Sequence, residues 1–272
     1  MEDRQRKEIA LRKILQSYGK VAIAFSGGVD SSFLLFYAAD VLGKENVLPI
    51  TLTMSMHTKR EREETITLAQ GFQHIFVEAE EYSMEGFVEN GKERCYHCKK
   101  GIFEKILREA KERGFTIVAD GTNFDDLDDY RPGLRALQEL NIQSPLKEAG
   151  LTKRDIREIS KERKIPTWNK PSKACLASRI PYGTKITPQA IAMVEACEDY
   201  LWDLGFISCR VRHHGTIARI EVPVEKIEAL VQHREAIDHY FKSQGFLFVT
   251  LDLGGYQMGS LNLELKDRGK DG

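Results

Sequence analysis

No apolar run in this chain approaches the ~20 residues that a membrane span requires, so nothing in its 272 residues reads as a membrane helix. Net charge is just as scarce, because 40 Lys and Arg stand against 41 Asp and Glu and leave −1 at neutral pH. A balance this close to zero excludes broad electrostatic adhesion to nucleic acid and leaves room only for a local basic face. The stretch from Glu2 to Arg12 is mostly polar and charged, without the apolar core of a secretion signal, and points to a cytoplasmic protein with no membrane partner. The five cysteines are an odd number in that setting and read as thiols or metal ligands rather than disulfides. No internal repeat and no low-complexity tract is present. Hydrophobic residues at 42% and charged ones at 30% are ordinary for a globular chain.

What is present is concentrated in one segment. Ser26-Gly27-Gly28-Val29-Asp30-Ser31 lies between the apolar run Val21 to Phe25 and the helix-like Phe33-Leu34-Leu35-Phe36-Tyr37-Ala38-Ala39. A strand running into a Gly/Ser turn and then a helix forms a phosphate cradle. The glycines admit an anion close to the backbone, Ser26, Ser31 and Ser32 supply hydroxyls, and the helix start supplies N–H groups and a positive dipole end. The Lys-Ser/Thr pair that closes the P-loop of kinases and GTPases is missing, so this is a different device. A carboxylate inside a phosphate loop repels the phosphate unless a cation lies between them, which makes Asp30 a Mg²⁺ contact.

Around the loop the chain alternates strand and helix. A helix is predicted over Glu2 to Tyr18, strands over Val21–Phe25, Val47–Met54, His74–Glu78 and Thr116–Ala119, and helices over Ser32–Leu42, Lys59–Gln70 and a stretch containing Lys99 to Arg113. That rhythm predicts an α/β fold with a doubly wound parallel sheet and ligands at the carboxyl ends of its strands. After Asn169-Lys170-Pro171 the texture changes to a helix over Ile186–Leu204, short strands near 209–211, 218–222 and 246–251, and helices near 224–233 and 236–244. The expected division is a nucleotide domain over residues 1–180 and a smaller α+β domain over 181–272.

Further candidate residues sit at strand ends and in irregular stretches. Thr53 lies near the end of the second predicted strand, and Asp120-Gly121-Thr122-Asn123 follows the fourth, with Gly121 permitting close approach and Thr122 and Asn123 able to donate to a phosphate or ribose. Asp125, Asp126, Asp128 and Asp129 read as a solvated acidic loop, whereas Arg131, beside the Pro132-Gly133 turn, is placed to bind a carboxylate or phosphate. Cys95-Tyr96-His97-Cys98 can chelate zinc, hold iron or act as a redox pair, but the second C-x-x-C of a four-thiol zinc site is absent. Cys175 lies between Lys173 and Arg179, cations that favour its thiolate, while Cys197 and Cys209 read as packing residues. Arg210 and Arg212 alternate on one strand and share a face, so with Lys173 and Arg179 they can hold a substrate phosphate.

The Ser-Gly-Gly-x-Asp-Ser pattern resembles that of the PP-loop ATP pyrophosphatases. The resemblance implies a fold of the adenine-nucleotide-hydrolase kind and a reaction type: ATP is cut between its α- and β-phosphates, AMP passes to a substrate oxygen, pyrophosphate leaves, and a nitrogen or sulfur nucleophile displaces AMP. Further segments narrow the likeness: Asp-Tyr-Arg-Pro-Gly-Leu at 129–134, Trp168-Asn169-Lys170, Arg-Ile-Pro-Tyr-Gly-Thr at 179–184, Arg210-Val211-Arg212 and Leu253-Gly254-Gly255-Tyr256. With these, nearly the whole chain is similar to the LarE family of ATP-dependent sulfur transferases, which help build the nickel-pincer nucleotide cofactor of lactate racemase.

That narrower resemblance implies ATP and Mg²⁺, a pyridinium mononucleotide as small-molecule partner, and a homo-oligomer. In single-cysteine members the sulfur is cut from the protein's own Cys in the Cys175 segment, leaving dehydroalanine. Here Cys95, Cys98 and Cys175 make a set of three, and three thiolates can hold a [4Fe–4S] cluster with one iron open, the arrangement of relatives that turn over repeatedly. The departure favours the cluster-dependent form, with Cys175 and Asp30 as catalytic residues. A tRNA thiolase of the same superfamily and a nucleotide-binding module without catalysis are the alternatives.

Overall fold

Strand β1 (Val21–Ala24) and strand β2 (Val47–Thr53) are apolar along most of their length and buried on both faces, as the inner strands of a helix-covered parallel sheet must be. They pair in parallel, Val21 opposite Val47 and Ala24 opposite Ile50. Strand β3 (Ile75–Glu78) adds to β2, and the short β4 (Val118–Ala119) adds to β1. The sheet order β3-β2-β1-β4 is wholly parallel, the α/β architecture expected from the sequence. Its order reverses at β1, so a crevice opens between the carboxyl ends of β1 and β4.

The structure is a computed structural model and describes residues 2–128, 132–171 and 174–257. The chain divides into two compact units, one of residues 1–85 with 93–173, the other of 86–92 with 174–272. Arg131 and Lys173 of the expected substrate site, like Asp129, lie outside the described residues.

In the first unit, helix α1 (Glu2–Tyr18), α2 (Val29–Leu42), α3 (Lys59–Leu68), α4 (Arg94–Glu112), α5 (Pro132–Glu139), α6 (Pro145–Glu148) and α7 (Lys153–Glu162) accompany the sheet. Helix α2 is apolar nearly all round, and its Phe33, Leu34, Leu35 and Tyr37 share a core with Leu11 and Leu15 of α1 and Ile156 and Ile159 of α7. Thr58 with Glu61 and Thr152 with Asp155 form capping boxes that start α3 and α7. Helix α2 begins at Val29 rather than Ser32, because Gly28 takes the extended N-cap position and Gly27 the left-handed φ of 66° before it. Ser31 and Ser32 therefore belong to the first helical turn. Helix α4 likewise begins at Arg94, which places the C-x-x-C on its opening turns.

The second unit has a three-stranded sheet. Strands β5 (Arg210–His214) and β6 (Ile217–Glu221) form an antiparallel hairpin, and β7 (Phe248–Leu251) joins β6 in parallel. Helix α8 (Pro188–Asp203), capped by Thr187, packs with α9 (Ile227–Gln232) and α10 (Arg234–Ser243) around Leu201, Val211, Ile220, Phe241 and Phe246. Cys197 and Cys209 are buried in this core, and burial pushes the Cys209 thiol up to about 12. Among the described residues no helix is long and apolar enough to cross a membrane.

One polar side chain inside the first unit generates a stability prediction. Thr51 Oγ1 donates to the Phe25 carbonyl at 2.7 Å and lies 2.8 Å from His74 Nε2, so the imidazole Nε2–H is the donor of that pair. The ring packs against Phe25 and Phe76, and burial lowers its pKa to about 4. In the unfolded chain His74 gains a proton near pH 6.5, whereas in the folded chain it stays neutral down to about 4, so stability falls as pH drops through that window. Urea unfolding at pH 7 and pH 4.5 should therefore differ less in His74→Gln than in the parent, by about 1 to 2 kcal/mol after allowance for partial exposure.

Candidate active site

The turn after β1 is built to sit close to its neighbours. A Cβ on Gly27 would stand 2.8 Å from Thr65 Cγ2 of α3, so the loop and α3 share a tight seam. Ser26 Oγ and Ser31 Oγ are 3.1 Å apart, and Ser31 Oγ also accepts from the Ser26 N–H. Asp30, in the first turn of α2, accepts from Lys153 Nζ through Oδ2, while its Oδ1 is buried without a partner. Burial raises the Asp30 pKa, and the nearby Lys153 opposes that shift. Ser32 Oγ and Thr53 Oγ1 are also buried and unpartnered. Buried polar atoms are normally satisfied, so three such atoms near strand ends fit a polar ligand. A triphosphate with its Mg²⁺ supplies acceptors for the hydroxyls and a cation for the carboxylate.

Across the crevice, the loop after β4 approaches α2 in backbone contact. A Cβ on Gly121 would lie 2.9 Å from the Ser31 nitrogen and 3.1 Å from the Asp30 carbonyl carbon. Asp120 holds this loop in shape, taking Ser144 Oγ at 2.7 Å on one oxygen and Thr122 Oγ1 on the other. Asn123 accepts from the Asp125 N–H at 3.0 Å. Thr122 and Asn123, expected as ligand donors, thus also brace their own loop, and both are buried. A shallow cleft of about 420 Å³ lies beyond the ends of β2 and β3, lined by Thr53, Met54, Glu78, Glu81 and Tyr82 among others.

The loop carries no Lys, yet the fold brings two to it. Besides Lys153, Lys170 Nζ donates to the Gly27 carbonyl at 2.9 Å and pairs with Glu64 of α3 at 2.5 Å. Arg157, one turn past Lys153 on α7, holds the carbonyls of Trp168 and Lys170 at 2.8 and 2.7 Å. None of the three was singled out from the sequence as a site residue. They lie well over a hundred residues from the loop and form no motif with it.

In the second unit, Cys175 is exposed at the start of the short 3-10 turn Leu176–Arg179. Arg179 is 3% exposed and pairs bidentately with Glu198 at 2.8 and 2.9 Å. Its third nitrogen donates to the Ala174 and Cys175 carbonyls and to Ser178 Oγ. Arg212 is buried in the same way, bidentate to Glu221 and donating to the Ser178 carbonyl at 2.9 Å. From the inserted segment 86–92, the buried Asn90 amide donates to the Ile180, Pro181 and Thr184 carbonyls. Arg179 and Arg212 therefore shape the turn that carries the thiol, whereas Arg210 lies over the Tyr256 ring at 4.9 Å. On the first unit, Cys95 is exposed and Cys98 half-buried on α4. Among the described residues no three His, Cys, Asp or Glu side chains form a group able to hold a metal.

A family model described as NAD synthase matches residues 5–125, the stretch that contains β1 to β4 and the glycine turn. Over 94% of its length the chain is 36% identical to the pyridinium-3,5-bisthiocarboxylic acid mononucleotide synthase of Lactiplantibacillus plantarum, and it covers 94% of that protein. The chain belongs to the LarE family of PP-loop enzymes. It is also 40% identical, over 93% of its length, to an uncharacterised protein of Synechocystis, of which it covers 95%. An uncharacterised Methanocaldococcus jannaschii protein is 31% identical over 88% of the chain, which covers 91% of it.

For this LarE-family chain the Gly121 contact gives a direct test. Gly121→Ala forces either the β4 loop or the first turn of α2 to move, since backbone lies on both sides. Isothermal titration with MgATP should show an affinity loss of about tenfold or more, with about 1 to 3 kcal/mol lost from unfolding stability.

Proposed function

We propose that the protein is an ATP-dependent sulfur transferase that adenylates the carboxylates of pyridinium-3,5-biscarboxylic acid mononucleotide, releases pyrophosphate, and converts them to thiocarboxylates. The observation that carries this reading is a set of buried, unpartnered polar atoms, Asp30 Oδ1 and Ser32 Oγ in the first turn of α2 and Thr53 Oγ1 at the carboxyl end of β2. Its setting, in a chain similar end to end to a named bisthiocarboxylate synthase, supports the substrate.

On this reading the backbone of Ser26 to Gly28, the hydroxyls of Ser31 and Ser32, and the N-terminus of α2 hold the phosphates. Thr53, Gly121, Thr122 and Asn123 border the same nucleotide. Asp30 receives the Mg²⁺, whose charge offsets that on the phosphates. A substrate carboxylate oxygen attacks the α-phosphorus, the bond to the bridging oxygen breaks, and pyrophosphate leaves with the electron pair. Sulfur then attacks the acyl carbon and AMP departs. Cys175 carries that sulfur, its turn held by Arg179, Arg212 and Asn90 so that the exposed thiol keeps a fixed approach. Arg210, with Arg131 and Lys173, supplies the positive charge for the substrate's phosphate, whereas Arg179 and Arg212, expected there as well, are paired with Glu198 and Glu221.

Cys95 and Cys98 are thiols of the kind that hold iron, and with Cys175 they are the ligand set of the proposed [4Fe–4S] form. In the sacrificial form Cys175 alone gives up its sulfur. We further infer a cytoplasmic homo-oligomer, with the nucleotide site in the first unit and Cys175 and Arg210 in the second.

Purified protein given ATP and the pyridinium biscarboxylate should release AMP and pyrophosphate, and no AMP with the substrate omitted. ADP as product would sink the reading, and a salt-sensitive gel shift with tRNA would favour a tRNA thiolase instead. Asp30→Ala should lower AMP formation by roughly a hundredfold or more. Anaerobically purified protein should carry iron and sulfide that fall in Cys95→Ala. A colourless protein whose Cys175 loses the mass of H₂S after one turnover would identify sacrifice as the source.

A further inference from the structure

One cation at the crevice has no part in the chemistry described above. Lys153 is the first residue of α7, at the end of the helix where N–H groups and the positive dipole favour an anion, and Arg154 follows it. A Lys there works against its own helix, the sort of local conflict that accumulates at functional positions. Its ammonium pairs with Asp30, and its backbone N–H donates to Asp125 Oδ2 at 2.8 Å. Asp30 lies in the first turn of α2, so the opening turns of two helices of ten or more residues meet at this ion pair. Two polar atoms of that turn are buried without partners, the other oxygen of the pair's own carboxylate, Asp30 Oδ1, and the Oγ of the wholly enclosed Ser32 two positions on.

The ion pair is also free to change. The Lys153 and Asp30 side chains are 29% and 22% exposed, so a change of partner does not require the core to open. Lys170, by contrast, is committed to the Gly27 carbonyl and Glu64. A four-carbon stem with three rotatable donors lets an ammonium swing between acceptors a few ångströms apart, which a planar guanidinium fork does less readily.

We propose that Lys153 is an exchangeable counter-ion of the phosphate loop: without nucleotide it neutralises Asp30, and when a magnesium triphosphate enters, the metal takes the carboxylate and the ammonium turns to the β- and γ-phosphate oxygens. This rests on the reading of the crevice as an ATP pyrophosphatase site. As the carboxylate oxygen bonds to the α-phosphorus, the bridging oxygen keeps the electron pair of the broken bond, and Lys153 donates N–H bonds to the departing pyrophosphate without transferring a proton. The loop thus obtains late in the chain the lysine that it lacks in its own motif. Until phosphate arrives, that lysine keeps the buried carboxylate from standing uncompensated.

The test separates the two outer phosphates from the rest of the nucleotide. Calorimetry with MgATP, magnesium pyrophosphate and AMP on the parent, Lys153→Gln and Lys153→Arg proteins gives nine affinities. In Lys153→Gln the MgATP and pyrophosphate affinities should fall by about tenfold to a hundredfold, the worth of a charge-assisted hydrogen bond, while AMP changes less than about twofold. Lys153→Arg should restore MgATP to within about fivefold of the parent. Equal losses for AMP and MgATP in Lys153→Gln would mean that the residue merely shapes the loop, and unchanged MgATP binding would mean that it never meets the phosphates. Either result overturns the exchange while leaving the ATP site standing. A parent protein that binds none of the three ligands would instead remove the pyrophosphatase reading itself.

Discussion

The first unit depends on how closely the loop after β4 can approach the first turn of α2. Gly121 sets that distance, because any side chain there would strike the backbone of Asp30 and Ser31. Asp120 holds the glycine in place by gripping Ser144 and Thr122, and the reversal of strand order at β1 supplies the gap into which both loops project. Hydrophobic burial on α2 fixes the helix but not its opening turn. That turn is positioned by contact of one backbone with another, which tolerates far less error than apolar packing.

Charge is handled in the same economical way in both units. Each carries buried or half-buried carboxylates compensated by cations on other elements: Lys153 for Asp30 and Lys170 for Glu64 in the first, Arg179 for Glu198 and Arg212 for Glu221 in the second. In the second unit the pairs are bidentate and enclosed, and removal of either partner would strand a charge. Spare donors of the same arginines hold the carbonyls of residues 174, 175 and 178, so rigidity of the ion pairs passes directly to the backbone around Cys175. In the first unit the pairs are more open. A rigid turn suits a nucleophile that needs one line of approach, and an open pair suits a loop that must take in a large anion.

The parts of this arrangement that were legible in sequence are those encoded within a few neighbouring residues. The glycine pair, the apolar strand before it and the helix after it lie in one stretch, so the cradle could be read with Ser26, Asp30 and Ser32 in place. The strand and helix alternation carried the parallel sheet for the same reason. Lys153 and Lys170 could not be found this way, since their roles come from tertiary contacts across more than a hundred residues, and Arg157 reaches the site only by holding the Lys170 carbonyl. The start of α2 at Val29 was hidden because Gly28 is a poor helix former but a serviceable N-cap. Arg179 and Arg212, expected to hold a substrate phosphate, have carboxylate partners on other elements, which spacing along a strand does not disclose.

The excursion of residues 86–92 has a consequence for how the molecule can be taken apart. The backbone passes between the units at three places: between 85 and 86, 92 and 93, and 173 and 174. A protease that cuts only the third connection yields two chains, yet the N-terminal piece retains Asn90, whose amide is bound to carbonyls at 180, 181 and 184 of the other piece. The nicked protein is then a complementation pair interlocked by seven residues rather than two released domains. For the same reason, neither unit corresponds to any single uninterrupted length of the chain.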